Sequence, residues 1–446
     1  MSDSSSLTSP QALLAELYRA AVAAVAPGPA LESALLSHAP DPHRHTHIVA
    51  LGKAALPMAV AAVEHLRQHG QRPAGGIIIG PAAGPAPDER LHVFQGDHPE
   101  PGPNSFAAAE ELGRALQSVD FDHEVWVLLS GGTTSLIGAP VPGITPSDLS
   151  ALYALLLGSG IDISAMNRIR KRFSRWGAGR LAAALHPKRV KNFTISDVIG
   201  DELASIGSGP CVPDETRAAE VRSLLTSAGL WEKIPETMRR LVQDVERGDA
   251  AETPKPGDPA FGKVEVFVIA SNRLALDAIA KRAGESGLSS TIMPEILSGE
   301  AAEMGTRIAA TVSEYGTKAG PAQPPMHKDT VLIWGGETTV TLGDNPGTGG
   351  RSQELALSAA RALSGISTRI TLMAAGTDGR DGPTDAAGGI VDPATWDRIR
   401  ATGRDPAQDL ARHSAYAALA AAGALFKTGL TGTNVMDVVV AFIPVP

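Results

Sequence analysis

The chain has 446 residues, 43% hydrophobic and 20% charged, so it can bury a core and does not read as disordered. Its formal net charge of -9 excludes a general nucleic-acid binder, which needs a basic surface, but leaves room for a small anionic ligand held by dipoles and a few cations. Glycine fills 47 positions where average usage gives roughly 31, so tight turns and backbone-lined sites are expected.

The one cysteine, Cys211, cannot form an internal disulfide, and no CxxC or Cys/His cluster offers a structural zinc site. Set in G-P-C-V-P without a basic neighbour, it reads as a packed thiol. The start, Met1 to Pro10, is Ser-rich without a basic segment and does not read as a signal peptide. No apolar run approaches the roughly 18 residues of a membrane span. The expectation is a soluble cytoplasmic protein with no membrane or nucleic-acid partner.

In chain order, Ser9-Pro10 reads as an N-cap with proline in the first turn of a helix that ends near Pro27 and carries Leu13, Leu14, Leu17, Ala21 and Val25 on one face. The segment H-R-H-T-H places His43, His45 and His47 alternately. On a strand they would share one face, yet a polar approach to the first strand is the better reading than a metal site. Short apolar runs then leave into glycine or polar turns: Ile48 to Leu51 into Gly52-Lys53, Gly76 to Ile79 into Gly80, and Val125 to Leu129 into Ser130-Gly131-Gly132. Amphipathic stretches separate them, the alternation of a parallel α/β sheet. Ligands of such sheets sit at the carboxyl ends of strands, so these turns are where chemistry is sought.

The turn Ser130, Gly131, Gly132, Thr133, Thr134, Ser135 can offer amide and hydroxyl donors to phosphate or carboxylate oxygens, or serve as an ordinary strand-to-helix turn. Lys53 can meet a transferring phosphoryl group as a point charge or be a surface lysine at a helix start. No P-loop sequence is present. From Arg168 to Lys191 the chain carries a run of nine basic residues, read chiefly as a solvated helix face, with some able to bind a carboxylate or phosphate. Asn167, at its start, could donate to a ligand. Asp197 and Asp201 flank Gly200 in S-D-V-I-G-D and can hold Mg²⁺, act as a general base, or cap a helix.

The stretch from Glu246 to Lys263 is polar, contains three prolines and lacks periodicity, so it is the expected domain boundary, dividing the chain into residues 1–248 and 262–446. The pattern resumes with Val264 to Ala270, Leu274 to Ala283, Val331 to Trp334 and Ile370 to Ala375, a second α/β domain, with another loop candidate at Ala319 to Pro325. In this half W-G-G-E-T-T-V includes Glu337 and Thr338, and G-G-R-S-Q-E sets the planar cation of Arg351 beside glycine backbone. A glycine-rich loop packs Asp378, Asp381 and Asp385 together. Magnesium is the candidate ligand of Asp378 and Asp385, and a series of Asx-turns is the other reading.

The ordered set G-K-A-A, G-D-H-P-E-P, S-G-G-T-T-S-L, M-N-R-I-R-K, S-D-V-I-G-D, G-S-G-P-C-V-P-D, G-G-E-T-T-V, G-G-R-S-Q-E, G-T-D-G-R-D-G-P-T-D-A-A-G and T-G-T-N spans nearly the whole chain. It resembles the MOFRL-type, class II glycerate 2-kinases. The resemblance implies a Rossmann-like N-terminal domain, a second C-terminal α/β domain and an active site in the cleft between them. It implies transfer of the ATP γ-phosphoryl group to the 2-hydroxyl of D-glycerate with Mg²⁺. Carried over, Lys53 and Arg351 become the essential cations and Asp197 or Asp201 the carboxylate at the reacting hydroxyl. The Ser130 turn, Glu337, Thr338, Asp378 and Asn434 become lining groups. The resemblance leaves a homodimer open. A hydroxypyruvate reductase is the alternative, opposed by the lack of a G-x-G-x-x-G turn in the first βα unit, and a non-catalytic ligand sensor is a third reading.

Overall fold

The computed structural model describes residues 9–38, 40–317, 328–343 and 345–445, without the side chains of 316 and 317; the loop expected at Ala319 to Pro325 lies outside them. The chain divides into two compact units, residues 27–269 and residues 1–26 with 270–446.

The first unit holds a six-stranded sheet in the order β3-β2-β1-β4-β5-β6. Its strands are β1 (Thr46–Leu51), β2 (Gly75–Gly80), β3 (Leu91–Gln95), β4 (Glu124–Leu129), β5 (Arg189–Ile195) and β6 (Val264–Ala270). β1 to β5 pair in parallel. This is the order of the doubly wound Rossmann sheet, in which the direction of winding reverses between the first and fourth strands. Every residue of β1 and β4 is buried, as expected of central strands covered on both faces, which is why they read as continuous apolar runs. Ligands of such sheets sit at the carboxyl ends of the strands where the winding reverses, and Lys53 and the Ser130 turn stand at those ends of β1 and β4.

The second unit holds another six-stranded sheet, ordered β11-β10-β9-β12-β8-β7. It comprises β7 (Ser289–Ile292), β8 (Thr330–Gly336), β9 (Thr371–Gly376), β10 (Gly388–Val391), β11 (Leu425–Phe426) and β12 (Asp437–Ile443). This sheet is mixed: β12 runs antiparallel to both β8 and β9. Its first residue, Asp437, therefore lies level with Gly336 at the end of β8 and Gly376 at the end of β9. The helix Arg351–Leu363 packs against this sheet with every residue from Ser352 to Ala360 buried, the polar Gln353 and Glu354 among them.

Three expectations are corrected. The Pro10–Ala24 helix forms as read, capped by Ser9 whose hydroxyl accepts from the Ala12 amide at 3.2 Å, but it belongs to the second unit. There Tyr18 donates to the Gly376 carbonyl at 2.7 Å and the Thr433 hydroxyl to the Val25 carbonyl at 2.7 Å. The 1–248 and 262–446 division also differs at its boundary, because β6 is an edge strand of the first sheet. The polar segment before β6 is a strap and not a free linker: Glu252 accepts both guanidinium nitrogens of Arg172 at 2.8 Å, and Lys255 donates to the carbonyls of Asp214 and Thr216 at 2.8 and 2.6 Å. Lastly, the basic run is not one solvated helix face. It spans the helices Ile163–Phe173 and Arg180–Leu185 and the strand β5, and Lys171 and Arg172 are buried against Asp214 and Glu252. Charge masked the strand, since Arg189 and Lys191 alternate with buried Val190 and Asn192.

Of the histidine alternation, His45 and His47 meet His123, with ring centroids 5.2 and 5.0 Å apart, and among the described residues no group of His, Cys, Asp and Glu is arranged to hold a metal. Burial pushes the Cys211 thiol up to about 12, consistent with an inert packed side chain. Among the described residues no single helix is long and apolar enough to cross a membrane.

Candidate active site

The first constellation is built where β1 and β4 end. Gly52 has φ 115°, and a Cβ there would lie 2.3 Å from the Ser130 hydroxyl, so only glycine lets the two turns approach. The Lys53 amide donates to the Gly131 carbonyl at 2.9 Å and the Ala54 amide to the Ser130 hydroxyl at 3.0 Å, locking turn to turn. Gly132, at φ 83°, opens the helix Thr133–Leu136, and a Cβ on it would sit 3.1 Å from Cγ of Lys53. The lysine stem therefore lies directly across the turn. Its ammonium is exposed and makes no hydrogen bond or ion pair among the described residues.

Asp197 follows β5 and comes up beneath the same turn: a Cβ on Gly131 would be 1.9 Å from its Oδ2. Burial raises its pKa above the ordinary carboxylate value, with the Lys53 charge acting in the opposite sense. Asp201 sits one short turn later at φ 55°, partly exposed, and of the two expected carboxylates it is Asp197 whose atoms lie nearest to Gly131. Two further residues, His98 and Ser208, bond to the same turn. His98 Nδ1 lies 2.8 Å from the Ser135 hydroxyl, and its pKa is lowered by burial and by Lys53. Ser208 shares a 2.8 Å hydrogen bond with Thr134. Thr133 is used internally, donating to the Ser130 carbonyl at 2.8 Å. Asn167 lies on the helix Ile163–Phe173, half-exposed and outside this cluster of bonds.

The second constellation gathers at the aligned ends of β8, β9 and β12. Arg351, first residue of its helix, places Nε and one terminal nitrogen on Asp437 at 2.6 and 3.0 Å, while the other contacts Glu337 at 2.7 Å. Asp437 is fully enclosed; burial raises its pKa, and Arg351 opposes that rise. Asn272 donates to the carbonyls of Val435 and Asp437 at 2.8 and 3.0 Å, and a Cβ on Gly335 would strike its Oδ1 at 1.8 Å. Thr338 is buried beside Glu337, and Asn434 accepts from the Met436 amide at 3.1 Å, holding the turn that leads into β12.

The three loop aspartates have separate tasks. Asp381 accepts the Ser352 and Gln353 amides at 3.2 and 2.8 Å, capping the Arg351 helix, and burial with the Asp437 charge pushes its pKa up to about 7. Asp385 is exposed and accepts from Lys427 at 2.9 Å and Tyr416 at 2.8 Å, partners it does not share with Asp378. Asp378 closes an Asx-turn onto the Arg380 amide at 3.0 Å, while its Oδ1 lies close beside Gly376 and hence near Asp437. Among the described residues no set of three His, Cys, Asp or Glu side chains could hold a metal. That donor set fits a divalent cation carried mainly by nucleotide phosphates, as Mg²⁺ usually is, and does not fit a resident cage.

Asp437, Asn272 and Tyr18 were missed by sequence reasoning. Asp437 carries a faint signal, a charge opening an otherwise apolar run; Asn272 and Tyr18 carry none.

Residues 13–243 match a domain of unknown function, DUF4147, and residues 330–437 match the MOFRL family. A glycerate 2-kinase of Pyrococcus horikoshii is 38% identical over 397 residues, covering 89% of this chain and 87% of that one. A protein of Agrobacterium vitis provisionally named a hydroxypyruvate reductase is 36% identical over 96% of this chain and 93% of its own. The crystal structure of a glycerate kinase from Thermotoga maritima superposes with a TM-score of 0.85 at 35% identity, covering 97% of this chain and 98% of that one. With both domains matched in order and the likeness running through nearly the whole fold, the chain belongs to the MOFRL-type glycerate 2-kinase family.

Proposed function

We propose that this protein is an ATP-dependent glycerate 2-kinase, moving the γ-phosphoryl group of ATP to the 2-hydroxyl of D-glycerate to give 2-phosphoglycerate and ADP. The observation that carries the reading is the free ammonium of Lys53 lying across the Gly131-Gly132 turn, at the reversal point of a Rossmann sheet, with the Asp197 carboxylate beneath. Phosphoryl transfer asks a protein chiefly for positioning and charge stabilisation, and this cluster offers both. Lys53 and the amides of the Ser130 turn hold phosphate oxygens. Asp197 orients the 2-hydroxyl and accepts its proton as the new O–P bond forms. Its raised pKa makes it a better base than an ordinary aspartate.

On the second unit, Arg351 supplies fixed positive charge, set by Asp437 and Glu337, and Asp378 is the carboxylate left for a Mg²⁺ ion. Bound Mg²⁺ would screen the phosphate charge. A cytoplasmic location belongs to the same reading, in keeping with one reduced, buried thiol.

The test is ADP release from ATP and Mg²⁺ with and without D-glycerate, with the product identified by phosphorus NMR. Glycerate-dependent ADP and a 2-phosphoglycerate resonance are expected. Oxidation of NADH by hydroxypyruvate without phosphoryl transfer would replace this reading with the reductase. The G-K-A-A turn after β1, lacking the dinucleotide glycine pattern, speaks against that outcome.

A further inference from the structure

Within the basic run that opens at Arg168, Arg170 is half-buried yet makes no hydrogen bond or ion pair among the described residues. Arg168, Lys171, Arg172, Arg175, Arg180 and Lys191 each meet a carboxylate or backbone carbonyl. Lys188 and Arg189 lie at the amino end of β5, the wrong end of a parallel sheet for ligands. Arg170 shares a buried, unpartnered Nε with Arg172 but, unlike it, has no carboxylate in contact among the described residues. Its guanidinium carbon lies 4.4 Å from the centroid of the Tyr153 ring, its Nε is buried with no acceptor, and it makes no ion pair among the described residues. Tyr153 is only 5% exposed, so the platform beneath the cation is fixed.

Two connections tie Arg170 to the Ser130 turn. Its helix packs on the short turn Ile206–Ser208, whose last residue bonds Thr134 at 2.8 Å. On the other side, the negative charge facing it is Glu100, two residues beyond His98, and His98 bonds Ser135 at 2.8 Å. The helix from Thr133 to Leu136 joining these contacts is four residues, only about 6 Å long. Arg170 is therefore held near the turn assigned to phosphate oxygens, on the helix that also carries Asn167 one turn earlier on the same side.

A half-buried charge with no bonded carboxylate, and only the Glu100 charge nearby, is unfavourable, and burial lowers its pKa. A planar fork stacked on an aromatic ring is suited to an incoming carboxylate, which offsets that cost when it binds. In glycerate the carboxylate is bonded to the carbon that carries the 2-hydroxyl, so fixing one presents the other. Resting on the kinase reading, we propose that Arg170, assisted by Asn167, receives the carboxylate of the hydroxy-acid substrate and sets specificity for an anionic acceptor.

The experiment compares wild type with Arg170→Gln and Arg170→Lys, measuring KM for D-glycerate and for ATP, the relative rate with the uncharged amide of glycerate, and Tm. For Arg170→Gln, KM for glycerate should rise by about 10- to 100-fold while KM for ATP stays within about twofold. The preference for glycerate over its amide should collapse. Tm should hold or rise, because no internal ion pair is broken. Arg170→Lys, with charge but no fork, should fall between. An unchanged KM for glycerate in folded Arg170→Gln overturns the proposal, as does a rise confined to KM for ATP. If Arg170→Gln fails to fold, Arg170→Lys decides: a severalfold rise in KM for glycerate supports the proposal and a wild-type value overturns it. A wild-type protein that phosphorylates no glycerate fails the kinase reading itself, and this assignment falls with it.

Discussion

Lys53 stands exposed across a glycine turn with no ion pair among the described residues, whereas Arg351 already holds Asp437 at 2.6 and 3.0 Å and Glu337 at 2.7 Å. One cation is free for a ligand and the other is part of the framework that shapes its own surroundings. The difference follows from local construction. At the first site the donors are amides at the ends of parallel strands, so the carboxylate beneath them, Asp197, is held by proximity and not by a bidentate pair. At the second, the antiparallel β12 brings a buried aspartate level with two strand ends, and such a charge is tolerated only with a partner. Two arginine or lysine positions of equal standing in a motif can therefore fail in different ways when removed.

The sharpest test of that contrast is Lys53→Ala. Turnover should fall by about three orders of magnitude, as when a group opposite developing transition-state charge is lost, with Tm unchanged. A large drop in Tm would move Lys53 into the framework class and erase the comparison.

Next is Asp197→Asn, for which kcat should fall by about a hundredfold. Because burial raises the Asp197 pKa and the base must be ionised, wild-type activity should decline as pH falls through that raised value, and asparagine should abolish this acid limb. An acid limb that persists in the variant would assign it to another group.

Arg351→Ala should instead show in denaturant unfolding. Leaving Asp437 enclosed without its cation is expected to cost about 3 kcal/mol, the range for breaking one side of a buried pair. Asp437→Asn in the same chain should recover much of the loss. Wild-type stability for Arg351→Ala would mean that both cations are free and the comparison is false.

The smallest effect is expected for Tyr18→Phe, which keeps the ring against Phe426 and removes only the hydroxyl that donates to the Gly376 carbonyl at 2.7 Å. A loss of about 1 kcal/mol in stability is expected, the usual net value of one buried hydrogen bond. Hydrogen exchange should quicken in residues 376–388 and not in the first unit. Uniform change across both would show that the Pro10–Ala24 helix does not act on that loop alone.

How far the sequence could be read depended on whether the signal was local. Strand and turn were legible at Ile48 to Lys53 and Val125 to Gly132, because a fully buried parallel strand is an apolar run and its exit must be glycine-rich to let two turns meet. Lys53 and Arg351 were legible because each stands beside glycine at the start of a helix. Sequence spacing shows three aspartates together but not that one of them, Asp385, meets Lys427, which lies 42 residues on. The polar segment before β6 stood out as a domain boundary, while its polarity matches Arg172 and Asp214, which are distant in sequence.

The sequence by itself determined the α/β class, the two glycine turns and the candidate cations, since these rest on residue types within a few positions of each other. Only the tertiary structure decided that Asp197 lies under Gly131, that Asp437 anchors Arg351, that Arg170 makes no ion pair among the described residues and that the first helix joins the second unit. Each of these depends on which distant segment supplies the opposite charge or the matching surface. A chain written in one dimension holds both partners but not their pairing, which is set when burial makes an unpaired charge too costly to leave.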